Sequence, residues 1–218
     1  MLRNLAELAR AALTARDTQG AGGVYAMPTR LDSGTEVTVA DTCTRDDLGF
    51  VLLFHRRKDG HFAEELYFST RLDDGSWAAA DHLSGGVMGI EPTNTRELTG
   101  ILNGRSLVPF GESETALFTG RPESDDGYEL LRFYEFLVDG EADHLDIENT
   151  SSEAESETDP TRDPVRKSLI SQVSLFALFP GERVTIRAMA GKGPGSHPLG
   201  EPYKLTGPGT EPVAGPAT

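Results

Sequence analysis

The stretch that decides the fold runs from Asp46 to Ser84 and reads DDLGFVLLFHRRKDGHFAEELYFSTRLDDGSWAAADHLS. It contains three strand-like runs separated by glycine-containing turns, with runs at 48–55, 64–72 and 77–82 and turns at 58–61 and 73–76. Short turns of this kind join antiparallel neighbours in a sheet. The stretch therefore predicts a three-stranded antiparallel meander.

The second run of this meander alternates in polarity. Leu66 and Phe68 fall on one strand face, whereas Glu65 and Tyr67 fall on the other, as in a sheet with one covered and one wet side. Trp77 begins the next run and offers a ring on which a sugar could stack. Glu65, Tyr67 and Trp77 are therefore the candidate ligand-binding residues.

Further short, β-prone runs lie on both sides of the meander, at 24–27, 35–40, 106–110, 115–119, 128–138, 173–179 and 183–190. The run at 128–138 fits a helix or a strand, and its dense aromatic residues favour the strand. Many short strands separated by turns indicate a mainly β fold. We expect one β-rich domain over residues 22–190, built as a two-layer antiparallel β-sandwich, with an open β-barrel as the alternative.

Residues 1–18 predict an amphipathic helix, because Leu5, Leu8 and Leu13 recur at helical spacing. Three uses of its apolar face are open. The face packs on the sheet of its own chain, docks onto another protein or another copy of this chain, or lies on a membrane surface. Leu5, Leu8 and Leu13 are the candidate partner-binding residues under the second alternative.

Two segments predict flexible chain rather than core. Residues 141–163 are acidic and rich in serine, threonine and glutamate, so they offer little apolar surface to offset the entropy of ordering. Residues 191–218 are rich in glycine and proline and predict an extended, disordered tail.

Composition excludes several classes of partner. The chain has 35 acidic and 20 basic residues and a formal net charge of −15, which repels nucleic acid and anionic lipid surfaces. No run reaches the roughly 20 apolar residues of a membrane span, and Arg3, Glu7 and Arg10 interrupt any signal-peptide core. Cys43 is the single cysteine, so no disulfide forms within the chain. These features predict a cytoplasmic protein.

The sequence contains no recognisable catalytic, cofactor-binding or metal-binding motif. The acidic residues nearest to an acid–base pair are Glu64 and Glu65, but neighbours on a strand point to opposite faces. The five histidines are scattered without a short metal-binding spacing. We therefore predict no catalytic residues, no metal and no cofactor.

The sequence favours a non-enzymatic interaction or accessory module. Such a module would bind a protein partner, or a second copy of itself, through the N-terminal helix or an exposed sheet face. Two alternatives stay open. One is an enzyme with an unrecognised site for a carbohydrate or another small polar substrate, and the other is a structural, self-assembling component.

Overall fold

A computed structural model describes residues 5–19, 37–124, 126–151 and 164–209. Strands make up 52% of the structure and helices 13%, which confirms the mainly β prediction. Within these residues, neither helix has the length and apolar character needed to cross a bilayer.

The elements follow one another as α1 (Leu5–Gln19), β1 (Val37–Arg45), β2 (Leu48–Arg56), β3 (Phe62–Thr70), β4 (Asp81–Val87), α2 (Thr95–Leu102), β5 (Leu107–Phe118), β6 (Tyr128–Val138), β7 (His144–Asn149), β8 (Val165–Ser168), β9 (Val173–Leu178), β10 (Arg183–Ala190), β11 (His197–Pro198) and β12 (Tyr203–Thr206). They form three antiparallel sheets. The first has the order β1-β2-β3-β4, the second β5-β6-β9 and the third β11-β10-β7-β8, with β12 also paired to β10.

The first sheet contains the predicted meander, and its turns follow from local chemistry. The turn between β2 and β3 places Gly60 at φ 87, a backbone conformation that side chains disfavour. Asp74 Oδ1 accepts a hydrogen bond from the Ser76 amide at 2.8 Å in the following turn. The third strand starts later than predicted, at Asp81, because Trp77 forms only an isolated bridge with Arg71.

Strand β2 is covered on both faces. Phe50, Leu52 and Phe54 pack toward the second sheet, whereas Val51 and Leu53 pack against α1. A strand buried on both sides needs a continuous apolar run instead of an alternating one. This explains why residues 48–54 carry no polar side chain.

The second sheet is also covered on both faces. In β6, Leu131 and Phe133 pack against the first sheet, whereas Phe136 and Val138 pack against the third. The predicted two-layer sandwich is thus formed by the first and second sheets, and the third sheet adds a layer. No sheet closes into a barrel. Double coverage also explains the ambiguous periodicity at 128–138, which is a strand.

The structure corrects the boundaries predicted for the flexible segments. The segment 141–163, predicted as an acidic flexible loop, contains β7, in which Leu145 is buried while Glu148 is exposed. The predicted tail at 191–218 begins with β11 and β12, and Leu205 of β12 is 1% exposed. Leu205 packs in the same core cluster as Phe136, and the Tyr203 and Phe136 rings meet with 4.9 Å between centroids, which are contacts that composition does not reveal. Residues 20–36, 152–163 and 210–218 lie outside the described residues.

A buried ion pair connects the three sheets. Lys167 Nζ on β8 lies 2.8 Å from Asp41 Oδ2 on β1, with side-chain exposures of 6% and 1%. The same carboxylate oxygen accepts hydrogen bonds from the Leu175 amide at 2.7 Å and the Ser174 hydroxyl at 3.2 Å, both on β9. Lys167 also donates to the Thr42 carbonyl at 2.9 Å. Each sheet thus contributes one strand to a single buried charge cluster.

The neighbouring edges of β1 and β9 meet through side chains. Ser171 Oγ donates to the Ala40 carbonyl at 2.7 Å, and Arg45 donates to the Ala177 carbonyl at 2.7 Å. Together with Asp41, these contacts join the first and second sheets along one side. The opposite side of this pair of sheets ends in the edge strands β4 and β5.

We predict that Lys167→Met destabilises the protein by about 3 to 5 kcal/mol, because it leaves the Asp41 charge buried without its partner. The double variant Asp41→Asn with Lys167→Met should recover much of this loss, since both charges are then removed. Urea unfolding at neutral pH measures both free energies. Arg166→Met is the control, because Arg166 on the same strand is 52% exposed. Equal losses of unfolding free energy in Lys167→Met and Arg166→Met would contradict a specific role of the buried ion pair.

We also predict that Leu205→Ala lowers the free energy of unfolding by about 2 to 5 kcal/mol, the range for a buried leucine that leaves a cavity. Val165→Ala is a matched control on an edge strand of the same sheet, because Val165 is 68% exposed. Thermal and urea unfolding of the two variants compare them directly. A neutral Leu205→Ala would show that β12 does not contribute to the folded core.

Candidate functional site

Strand β3 carries polar side chains on both of its faces where it runs beside the edge strand β4. Glu65 lies on the outer face, the side of the first sheet that also carries α1. Glu64 lies on the inner face, the side that packs against the second sheet. This end of the first sheet therefore carries acidic side chains on both faces.

On the outer face, one carboxylate bridges two histidines. His55 Nε2 on β2 lies 3.1 Å from Glu65 Oε1, and His82 Nε2 on β4 lies 2.7 Å from Glu65 Oε2. We call His55, Glu65 and His82 the outer triad. Since a carboxylate only accepts, each Nε2 must carry the hydrogen that it donates. The triad is thus a hydrogen-bonded chain across three strands.

Tyr67 extends the outer triad along β3. Its ring meets the His82 ring edge to face, with 5.3 Å between centroids. Partial burial, together with the charge of Glu65, raises the pKa of the Tyr67 hydroxyl. The structure thus places two of the three candidate ligand-binding residues, Glu65 and Tyr67, side by side.

Trp77 is separated from these two residues. Its side chain is buried, its Nε1 donates to Asp17 Oδ2 on α1 at 2.8 Å, and the Arg71 guanidinium lies 4.3 Å from its ring centroid. The indole therefore belongs to the contact between α1 and the first sheet.

The candidate partner-binding leucines lie in the same contact. Leu13 is buried above Gly49, where an added Cβ would come within 2.7 Å of Leu13 Cδ1. Leu5 and Leu8 are half-buried at the margin of this cluster. The helix therefore packs on its own sheet, one of the three alternatives stated from the sequence. Docking of another protein through Leu5 and Leu8 stays a prediction.

On the inner face, Glu64 meets Glu135 of β6. The two carboxyl groups lie close enough to shift each other's pKa, and we call them the carboxyl pair. Burial, with the charge of Glu64, raises the pKa of Glu135 to about 8, and burial also raises the pKa of Glu64. Two ionised carboxylates side by side repel each other, which favours the protonated form of Glu135. The carboxyl pair thus holds a proton at neutral pH.

Glu135 is more enclosed than Glu64. It is 8% exposed, and its Oε2 has no hydrogen-bond partner among the described residues. Gly111 on β5 makes room for it, because an added Cβ there would lie 2.6 Å from Glu135 Oε2. Sequence reasoning missed Glu135, since its contact with Glu64 joins strands of two different sheets.

Two glycines of β4 stand beside the two carboxylates. Gly85 is paired with Glu65, and an added Cβ would lie 2.2 Å from Glu65 Oε2. Gly86 is paired with Glu64, but an added Cβ there would meet nothing within 4 Å. The outer triad thus fills the space above Gly85, while the space above Gly86 is open.

A separate cleft of about 590 Å³ lies between α2, the start of β1 and the loop before β9. Its polar side chains serve local structure. Ser171 Oγ accepts from the Val173 amide at 3.0 Å, and Asp139 Oδ1 accepts from the Glu141 amide at 2.8 Å. The cleft therefore does not bring together an acid, a base and a nucleophile.

A histidine on β7 does not form a catalytic triad either. Asp146 Oδ1 and Ser196 Oγ approach His144 at 3.4 Å and 3.5 Å, but both approach the same nitrogen, Nε2. A relay needs the acid and the nucleophile on opposite ring nitrogens. In the part of the chain that the structure describes, no group of three or more histidine, cysteine or acidic residues is arranged to hold a metal ion.

Comparison with known proteins adds no relative. No family model matches the chain, and neither a curated protein nor a solved structure is significantly similar to it.

The carboxyl pair predicts that stability falls as the pH rises. The pKa of Glu135 is about 8 in the folded chain against an ordinary 4.5, so the folded chain keeps a proton that the unfolded chain loses in this window. Stability should therefore decline between about pH 5 and about pH 8, by up to about 1.4 kcal/mol per pH unit. Glu135→Gln cannot titrate and should flatten this decline.

Urea unfolding at about pH 5, 7 and 9 tests this prediction. The Glu148→Gln variant is the control, because Glu148 is exposed on β7 and should leave the pH profile unchanged. If the unfolding free energy of Glu135→Gln fell with pH in parallel with that of the unchanged protein, the raised pKa of Glu135 would be contradicted.

Proposed function

We propose that this chain is a protein-binding module that takes an extended segment of another protein along the edge of β4. The observation that carries the proposal is the open edge itself. Strand β4 ends the first sheet, and five of its seven residues are exposed. An exposed edge is a template for one further strand, because its outward backbone groups await partners.

The register identifies which backbone groups point outward. The Met88 amide donates to the Phe62 carbonyl at 2.8 Å, so this position is a hydrogen-bonded pair of the ladder. Hydrogen-bonded and non-hydrogen-bonded pairs alternate along an antiparallel ladder. Glu64–Gly86 is therefore a hydrogen-bonded pair, and Ala63–Val87 and Glu65–Gly85 are non-hydrogen-bonded pairs. The amides and carbonyls of Gly85 and Val87 therefore point away from β3.

The β4 edge is also accessible to another backbone. Residues 81–87 contain neither lysine nor proline, the residues with which sheet edges are usually blocked. Gly85 and Gly86 carry no side chains that would hold an incoming strand away. By contrast, β5 at the edge of the second sheet contains Pro109, Glu112 and Glu114. These differences favour β4 as the docking edge.

Other surfaces offer less support for the same function. Leu13 of α1 is engaged by the first sheet, so the helix presents only part of its apolar face. The carboxyl pair lies outside the cleft of about 590 Å³ described above, which is lined by other residues. A binding edge accounts for the exposed features without a catalytic site.

We predict that Val87→Pro weakens binding of an added strand on the order of tenfold, because proline removes an outward amide and leaves the β3–β4 ladder intact. Peptides selected from a phage-displayed random library on the unchanged protein should bind Val87→Ala almost equally. Calorimetric titration with the selected peptides measures the difference.

Weaker binding by Val87→Pro could also come from a folding defect, so amide hydrogen exchange of the unchanged protein is measured as well. Bound peptide should slow exchange of the Gly85 and Val87 amides in the unchanged protein. Protection elsewhere, or equal peptide affinity for Val87→Pro and Val87→Ala, would refute binding at the β4 edge.

A further inference from the structure

The open space above Gly86 adjoins the carboxyl pair. Gly86 and Glu64 are directly paired residues of β4 and β3, so they lie on the same, inner face of the sheet. Nothing lies within 4 Å of a Cβ built on Gly86. A strand added beyond β4 would place alternate side chains on this face, next to that space. A long side chain there could cross the glycine toward Glu64.

Among the described residues, the carboxyl pair has no cationic partner. Its inner-face neighbour Arg56 on β2 stacks on Phe62, with 4.3 Å to the ring centroid, and lies 3.7 Å from Glu91. No ion pair of the described residues includes Glu64 or Glu135. The unpartnered Glu135 Oε2 leaves an acceptor unused in a buried position, where acceptors are normally satisfied.

We infer that the segment bound at β4 is basic, and that one of its lysine or arginine side chains crosses Gly86 and pairs with Glu64 and Glu135. This inference rests on the proposed function and specifies its partner. A cation placed there donates charge-assisted hydrogen bonds to two carboxyl groups that have no cationic partner among the described residues. The formal net charge of −15 adds attraction at longer range.

Charge also argues against a second copy of this chain as the occupant. Pairing of β4 with β4 would bring no lysine or arginine to the carboxyl pair, because residues 81–87 contain none. Each copy also carries the same formal net charge of −15. A partner of opposite charge meets both conditions that a second copy fails.

Two synthetic peptides test the inference on the full chain. Both are nine residues of alternating valine and threonine with blocked ends, and the central residue is lysine in one and norleucine in the other. Calorimetric titration at low ionic strength gives a dissociation constant for each. We expect the lysine peptide to bind the unchanged protein on the order of tenfold more tightly.

Variants locate the preference. In the double variant Glu64→Gln with Glu135→Gln, and in Glu64→Gln alone, the preference for lysine should fall toward equality. In Glu65→Gln the preference should persist, because Glu65 is the next residue of β3 but faces outward to His55 and His82. Melting curves confirm that each variant is folded before its titration.

Each contrary result overturns a distinct claim. Equal binding of the two peptides to the unchanged protein would refute a basic partner but leave the β4 edge as a docking site. A preference that persists without the carboxyl pair, or that is lost in Glu65→Gln, would refute the assigned contact. A mass of two copies that is lost in Val87→Pro would make a second copy the occupant. Failure of both peptides to protect the Gly85 and Val87 amides would refute the proposed function as well.

Discussion

The buried ion pair between Asp41 and Lys167 is the constraint on which the arrangement of the sheets depends. Removing either charge from water costs several kcal/mol, and the cost is offset only when the partner and its hydrogen bonds are in place. Here the lysine comes from β8, the carboxylate from β1 and two donors from β9. A packing that omits one of the three sheets would bury an unsatisfied charge. Apolar packing alone would allow the sheets to slide past one another. The ion pair instead favours one position of each sheet relative to the other two.

Stacking the sheets in layers removes the alternation of polar and apolar residues from the central strands. The strands at the centre of the stack, β2, β6 and β9, are covered on both faces, so their sequences lose the alternation that marks a strand with one wet side. Residues 173–178 are buried throughout. The meander could be predicted because its turns are explicit and β3 still alternates. The third sheet could be predicted only in part. The run at 183–190 corresponds to β10, whereas β7 and β12 are short and lie in segments whose composition is acidic or rich in glycine and proline.

Part of the candidate site could be predicted from the sequence. The alternation of β3 places Glu65 and Tyr67 together on its outer face, and the meander turns bring His55 of β2 and His82 of β4 alongside. These contacts follow from strand register alone. Glu135 is different, because its position opposite Glu64 depends on how two sheets pack rather than on how neighbouring strands pair. The packing of the whole core sets the position of Glu135 opposite Glu64, so no local sequence pattern indicates it.

The open edge of β4 also bears on the colloidal behaviour of the chain. Residues 81–87 lack the lysine or proline that usually keeps edges of separate molecules apart, so this task falls to the acidic surface. Repulsion between acidic surfaces is screened by salt, and at 0.1 M ionic strength it extends only about 10 Å. In dilute buffer this repulsion therefore opposes the approach of a second edge. Concentrated salt removes this long-range barrier and leaves short-range contacts to decide whether two copies associate.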